Sequence, residues 1–433
     1  MSFQQGLSGL NTSSKALDTV GNNIANSGTV GYKLATTQFA DVFAASLSGA
    51  GSSPIGLGAK VATVAQQFTQ GNISVTSNPL DMAINGGGFF RMQGATGDVV
   101  FSRNGQFQLD KDGYIVNASG YQLTGYAADV NGVINPPLVA LRLFNSSSSS
   151  DAAPQATGAS TAGTGVVASM NLDSREASPI GGAFNFADAT TYNKSTAVTT
   201  YDSLGNPHTY TLYFVKATAP ATNNWRVYAT VANPAGATPT FTDLSGGGVT
   251  PLTTLTFNTD GSVAAGASPT QAITDAQLGY AGGVDPMSFP VSFSGTTQFG
   301  SLFTVNSLTQ DGFASGKLAG FTVGDDGVVL GKYTNGQSRN LGQVILASFR
   351  NPQGLQPMGN NLWSATANSG AEMDGAPGSS GQYGPLQSSA LEDSNVDLTA
   401  ELVNMITQQR VYQANAQTIK TQDQVLQTLV NLR

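Results

Sequence analysis

Two heptad stripes, one at each end of the chain, constrain the fold more than any other feature. Phe3, Leu7, Leu10, Leu17 and Ile24 recur at alternating spacings of three and four, with Ser14 and Gly21 at the intervening positions. This spacing places one row of side chains along one face of an amphipathic helix. The row stops at Asn26-Ser27-Gly28, a helix-ending combination. Near the other end, Leu398, Leu402, Met405, Tyr412, Ala416, Ile419, Leu426 and Val430 share one seam, with Gln409 and Asp423 at its polar positions. Ser394, Asn395 and Asp397 precede it as N-cap candidates. No Gly or Pro interrupts Leu398 to Arg433, so a helix there would reach roughly 54 Å at ~1.5 Å per residue. Val411, Val425 and Leu429 form a broken second row on nearly the opposite face. A helix that is apolar on two sides contacts more than one neighbour.

Between these helices the pattern is β. Short runs of Val, Phe, Tyr and Thr alternate with turn residues. Phe101 to Leu109 reads as a strand, followed by a turn at Asp110-Lys111-Asp112-Gly113 and a second strand from Tyr114 to Asn117. Tyr210 to Val215 and Trp225 to Val231 read as a hairpin, as do Phe321 to Val323 and Val328 to Leu330 around Gly324 to Gly327. The fold class is therefore mainly β, as several small β-domains, with N- and C-terminal α-helices forming a coiled-coil-like assembly domain. Composition suggests the divisions. Ser146 to Ser150 and Ser294 to Gly300 read as joints. The expected organisation is 1–30 with 390–433 as the terminal helical domain and 31–70 as a linker segment. A β-rich body of 71–145 with 300–389 would then carry an inserted outer β domain of 146–299.

Charged residues make up only 10% of the 433 positions, against roughly 25% in an average soluble protein. A surface that is polar but mostly uncharged suits extensive contact with copies of itself. The net charge is −8 and the 18 basic residues form no cluster, which argues against nucleic acid as a partner. With no Cys, disulfides, iron–sulfur clusters and thiolate zinc sites are excluded. The first 20 residues carry one Lys, Lys15, and no continuous apolar stretch, unlike a cleavable secretory signal. Runs such as Val344 to Ala347 are too short to span a bilayer, so no membrane insertion is expected.

Catalysis, cofactors and metals find little support. The single imidazole, His208, sits in the turn-rich stretch Asp202 to His208, and the default reading is a turn residue on the surface. Gly163, Gly165 and Ala168 match a loose dinucleotide fingerprint, but no strand leads into them. Asp110, Asp112 and Gly113 suggest a calcium loop without its spacing, and a hairpin turn explains them better. Gly86-Gly87-Gly88 lacks the Lys and Ser/Thr of a phosphate loop, so close backbone packing is the expectation. Residues 401–433 hold ten Asn and Gln but only five charged side chains. Neutral amides suit a wet face that must grip neither acidic nor basic chains passing over it, and equally an ordinary polar helix face.

Two stretches carry a family resemblance. The run ending GNNIANSGTVGYK at Lys33, and SNVDLTAELVNMITQQRVYQANAQTIKTQDQVLQTLVNLR from Ser394, resemble the shared ends of bacterial flagellar axial proteins, which include rod, hook and hook-associated members. Tyr32 stands where Phe is commoner. LDMAINGGGFF from Leu80 and FSRNGQFQLDKDGYIVNASGYQLTGY from Phe101 look like the rod-and-hook body. YDSLGNPH from Tyr201 and NLGQVILASFRNPQGLQPMGNNLW from Asn340 look like the hook branch in particular.

The resemblance implies a structural, non-enzymatic subunit exported unfolded through the flagellar type III apparatus. It would polymerise into a short, curved, flexible tube outside the cell that passes motor torque to the filament and conducts exported proteins. It also implies the distal rod protein, the hook cap and the hook–filament junction protein as partners. The apolar positions Phe3, Leu7, Leu10, Leu17, Ile24, Leu398, Leu402, Met405, Val411, Tyr412, Ile419, Val425, Leu426, Leu429 and Val430 are the expected assembly interface. A distal rod protein is the alternative within the family, and a secreted β-domain adhesin the alternative outside it. An adhesin has no need of heptads at both termini.

Overall fold

The computed structural model describes residues 2–42, 56–129, 132–144, 151–159, 164–218, 223–233, 240–265, 268–280 and 282–431. The chain is mainly β, with α1 (Ser2–Ala25) near its start and α2 (Leu398–Asn431) near its end. It divides into two compact units: Met1–Ser150 with Gly320–Lys332 and Ser338–Arg433, and Asp151–Ala319 with Tyr333–Gln337. The expected joint at Ser146–Ser150 lies outside the described residues. The expected joint near Ser294 to Gly300 is instead a short connection. Beyond it the chain enters strand Thr304–Gln310, which runs antiparallel to Val166–Asn171 and keeps residues up to 319 with the second unit.

In the first unit α1 leads into the antiparallel hairpin Ala35–Val42 with Gly58–Gln66. The β-body buries two faces of its sheet, and strand Phe89–Gln93 shows why. Successive side chains of a strand point to opposite faces. Phe90 and Met92 therefore join Met82, Ile84, Val100, Leu123 and Leu346 in the main core. Phe89 turns the other way, to Phe101, Phe349 and Trp363. Phe68 completes this aromatic cluster, edge-on to Phe89 and Trp363 at 5.4 and 5.5 Å between ring centres. Such edge-to-face contacts satisfy the ring quadrupoles.

The expected strand from Phe101 to Leu109 is broken into Val99–Ser102 and Phe107–Leu109. At the break Gly105 lies against the backbone, where a Cβ would sit 1.6 Å from the Met82 carbonyl oxygen, so only glycine fits. The turn that follows is the expected one. The Asp110 carboxylate accepts the backbone N–H of Asp112 and of Tyr114 at 2.9 and 2.8 Å, and Gly113 takes a φ of 84°. Gly87 also packs backbone to backbone, since a Cβ there would be 2.6 Å from the Gln382 oxygen.

The second unit contains a six-stranded and a four-stranded sheet. Tyr210, Leu212, Phe214, Trp225 and Val227 from the first share one core with Met170, Phe289 and Val291 from the second, the arrangement of a sandwich. The hairpin read at Tyr210 to Val231 is present, as Pro207–Lys216 antiparallel to Asn224–Asn233. His208 departs from its expected surface position. It is a strand residue, 1% exposed, because its strand is paired on both sides. The turn lies just before it, where the Asp202 carboxylate accepts the backbone N–H of Leu204 and Asn206. Asp202 Oδ2 lies 3.2 Å from His208 Nε2, and the Ala232 carbonyl 3.3 Å from Nδ1.

Candidate assembly interface

Helix α2 begins where Asp397 caps it, its carboxylate accepting the backbone N–H of Thr399 and Ala400 at 2.9 and 3.2 Å. It then runs antiparallel to α1. A Cβ on Gly6 would be 3.0 Å from Ile419 Cγ1, and one on Gly9 would be 2.8 Å from Asn415 Oδ1. Asn415 Nδ2 donates to Ser13 Oγ at 3.4 Å. Farther along, Asn23 Nδ2 donates to Glu401 Oε2 at 3.0 Å. Contacts near Ile419 at the start of α1 and near Glu401 at its end define the opposed directions.

The seam between the helices is thus built mainly from small and polar residues, with Met405 and Ile419 as its larger apolar members. On α1, Gly6, Thr12, Ser13, Ala16 and Asn23 are buried and Gly9 is half-buried; on α2 the least exposed are Glu401, Met405, Gln408, Asn415, Ala416, Ile419 and Gln422. Apart from Thr12 and Ala416, both series keep the three–four spacing. On α1 the seam is one position out of phase with the leucine stripe, a turn of about 100° around a helix of 3.6 residues per turn.

Much of the apolar stripe consequently remains outward. Phe3, Leu7, Leu398, Leu402, Val411, Tyr412, Val425 and Leu426 are exposed, Leu402 at 44% and Leu426 at 54%. Leu10, Leu17, Ile24, Met405 and Ile419 are half-buried. The side chains of Leu429 and Val430 lie outside the described residues. Val403 and Ile406, also exposed on α2, were missed in the sequence. Their spacing of three was readable there, but only two residues long.

Below the helices, a buried charge cluster joins their roots to the body. Glu392 Oε1 lies 2.6 Å from Lys33 Nζ and Oε2 lies 3.2 Å from Arg103 Nη1, with all three side chains at most 3% exposed. Lys33 also donates to the Thr69 carbonyl at 2.8 Å, and Arg103 Nη2 to that of Gly86 at 2.8 Å. Burial pushes the Lys33 ammonium and the Arg103 guanidinium down from their ordinary values, and the Glu392 charge works against that in both. Nearby, Asn395 accepts the Leu34 N–H and donates to the Gln67 carbonyl, at 2.7 and 2.8 Å. Sequence reading missed this cluster, since its members are scattered along the chain.

Among the described residues, no group of three or more His, Cys, Asp or Glu could hold a metal ion, and no helix is long and apolar enough to cross a membrane. Of the loose glycine fingerprint, Gly163 lies outside the described residues and Ala168 is buried within strand Val166–Asn171.

Known proteins match this chain along its length. Residues 3–33 match the flagella basal body rod protein family, and 83–166 the flagellar hook protein FlgE/F/G D1 domain. Residues 171–313 match the flagellar basal body protein FlaE D2 domain, and 387–432 the flagellar basal body rod FlgEFG protein C-terminal family. The chain is 42% identical to flagellar hook protein FlgE of Escherichia coli (strain K12), over 435 residues covering 100% of both. It is 34% identical to flagellar hook protein FlgE of Rhizobium meliloti (strain 1021), covering 100% of this chain and 98% of that one. Among solved structures, the Helicobacter pylori flagellar hook protein FlgE2 superposes with a TM-score of 0.50 at 14% identity, covering 74% of this chain and 100% of the other, a likeness of fold.

Proposed function

The chain belongs to the flagellar hook protein family and is a structural subunit of the hook, and from this premise we propose that α1 and α2 polymerise it by presenting their outward apolar stripes to neighbouring copies. The observation that supports this most is the phase of the helix seam. Mostly small and polar residues join α1 to α2 within one chain, so Phe3, Leu7, Leu398, Leu402, Val411, Tyr412, Val425 and Leu426 remain available. Covering such a stripe with another copy contributes roughly 25 cal/mol for each Å² of apolar surface removed from water.

In this reading the helix pairs line a tube whose inner wall is rich in neutral amides, and the tube conducts exported chains. The β units lie outside and slide past their neighbours as the curved hook rotates and carries torque. The distal rod protein at one end, and the hook cap and hook–filament junction protein at the other, are the proposed partners. Export through the flagellar type III apparatus completes the scheme, which includes no catalytic step.

The test is Leu402→Asp. It places a charge in the stripe without touching the seam, so it is expected to abolish pelletable polymer after salting-out while the monomer's thermal unfolding barely changes. Normal polymerisation of Leu402→Asp by sedimentation and electron microscopy overturns the reading. Straight tubes from the parent chain favour a rod-like subunit instead.

A further inference from the structure

Glu392 touches three separate segments of the chain at the base of the helix pair. Its side chain reaches Lys33, eight residues after α1 ends, and Arg103 of the β-body. Its Oε1 also accepts the Gly71 N–H at 2.8 Å, and its carbonyl accepts the Gly31 N–H at 2.8 Å. Six residues later α2 begins. The backbone is equally confined around it: a Cβ would be 2.6 Å from Asn104 N at Gly31 and 2.0 Å from the Asp393 oxygen at Gly71.

As an adhesive this cluster is poor. Two cations share one carboxylate, and Arg103 Nε has no hydrogen-bond partner among the described residues. Apolar side chains of similar volume hold a buried site at least as well as a desolvated ion cluster does. What they lack is direction, because packing tolerates rotation whereas charged hydrogen bonds fix angles as well as distances.

We propose that Glu392, with Lys33 and Arg103, is a positioning element that fixes the direction in which the helix pair leaves the β-body, and so makes every copy present its stripes at one angle. The inference rests on the assembly role of the helices given above.

The experiment compares the full-length parent with Glu392→Gln, Glu392→Asp and the triple variant Lys33→Met/Arg103→Leu/Glu392→Leu. Glu392→Gln strands two buried cations and is expected to lower Tm by on the order of 10 °C. The triple variant is expected to return to within a few degrees of the parent Tm. Its tubes are nevertheless expected to lose uniform curvature and diameter, or to require at least about tenfold more protein to form. A purely stabilising cluster would not separate Tm from tube geometry in this way. Parent-like tubes at the parent's critical concentration from the triple variant overturn the proposal. Should that variant fail to fold, Glu392→Asp decides, because it keeps the charge but withdraws it by one methylene. Irregular tubes at near-parent Tm then support the proposal, and parent-like tubes overturn it. If the parent chain forms no tubes, the assembly reading fails and carries this inference with it.

Discussion

Asp202 and His208 form a buried pair in the second unit, and each side chain depends on the other. Burial would push the Asp202 carboxyl up, but hydrogen bonds from the Asn206 side chain and backbone, from His208 and from the Leu204 N–H hold it below the ordinary carboxylate value of 3.8. A carboxyl depressed in the folded state stabilises the fold above its unfolded pKa, and this contribution is lost as pH falls through the folded-state value. The second unit should therefore weaken as the pH drops below about 4, and Asp202→Asn should flatten that part of its stability–pH curve. His208→Ala leaves a buried carboxylate short of a donor. The expected loss is about 2–4 kcal/mol, read by urea unfolding. Motility lost without any loss of stability would instead point to a functional site at His208.

At the scale of elements, the helix pair is the least self-sufficient part of the chain. Its internal seam is mostly Gly6, Gly9, Ser13, Asn23, Glu401 and Asn415, with Ala16, Met405 and Ile419 as its apolar members, and so buries little apolar surface to offset the entropy of ordering both helices. Both helices are therefore expected to be largely unfolded in the monomer and to form on assembly. Limited proteolysis should trim both ends of the monomer, and circular dichroism should gain helix on polymerisation; protease-resistant ends in the monomer contradict this. Gly6→Val adds bulk 3.0 Å from Ile419 Cγ1. It should block polymerisation while leaving β-unit unfolding unchanged.

The sequence was legible where structure is local. The helix ends at Ala25 and Asp397, the Asp110 turn and the Pro207–Lys216 hairpin all follow from neighbours in the chain. The seam was not legible, because glycine and serine produce no periodic apolar signal, and the leucine stripe dominates the pattern one position away. The burial of His208 depends on strand pairing, and the Glu392 cluster joins residues 289 and 359 positions apart. No local spacing encodes either.

For the molecule as a whole, the cores are separate. Every residue of the sandwich core lies between Val166 and Leu308, and none of the body's core residues does. Replacing residues 151–319 with a short Gly/Ser linker should therefore leave the first unit folded and still able to form tubes, with altered bending under load. Electron microscopy of the shortened chain checks this, and a folded first unit that forms no tube refutes it.

The pairing of α1 with α2 also orders events in time. Asn23 meets Glu401 across 378 positions, and Ser13 meets Asn415 across 402. In the proposed export scheme a chain threaded out with α1 leading cannot complete its polymerising surface until α2 has followed. A broken message that stops before Glu392 yields a product with α1 but no α2, and with Lys33 and Arg103 lacking their carboxylate. Under the proposed assembly role such a fragment is expected to be left out of the tube, because the signature that admits a subunit is written half in its opening line and half in its closing one.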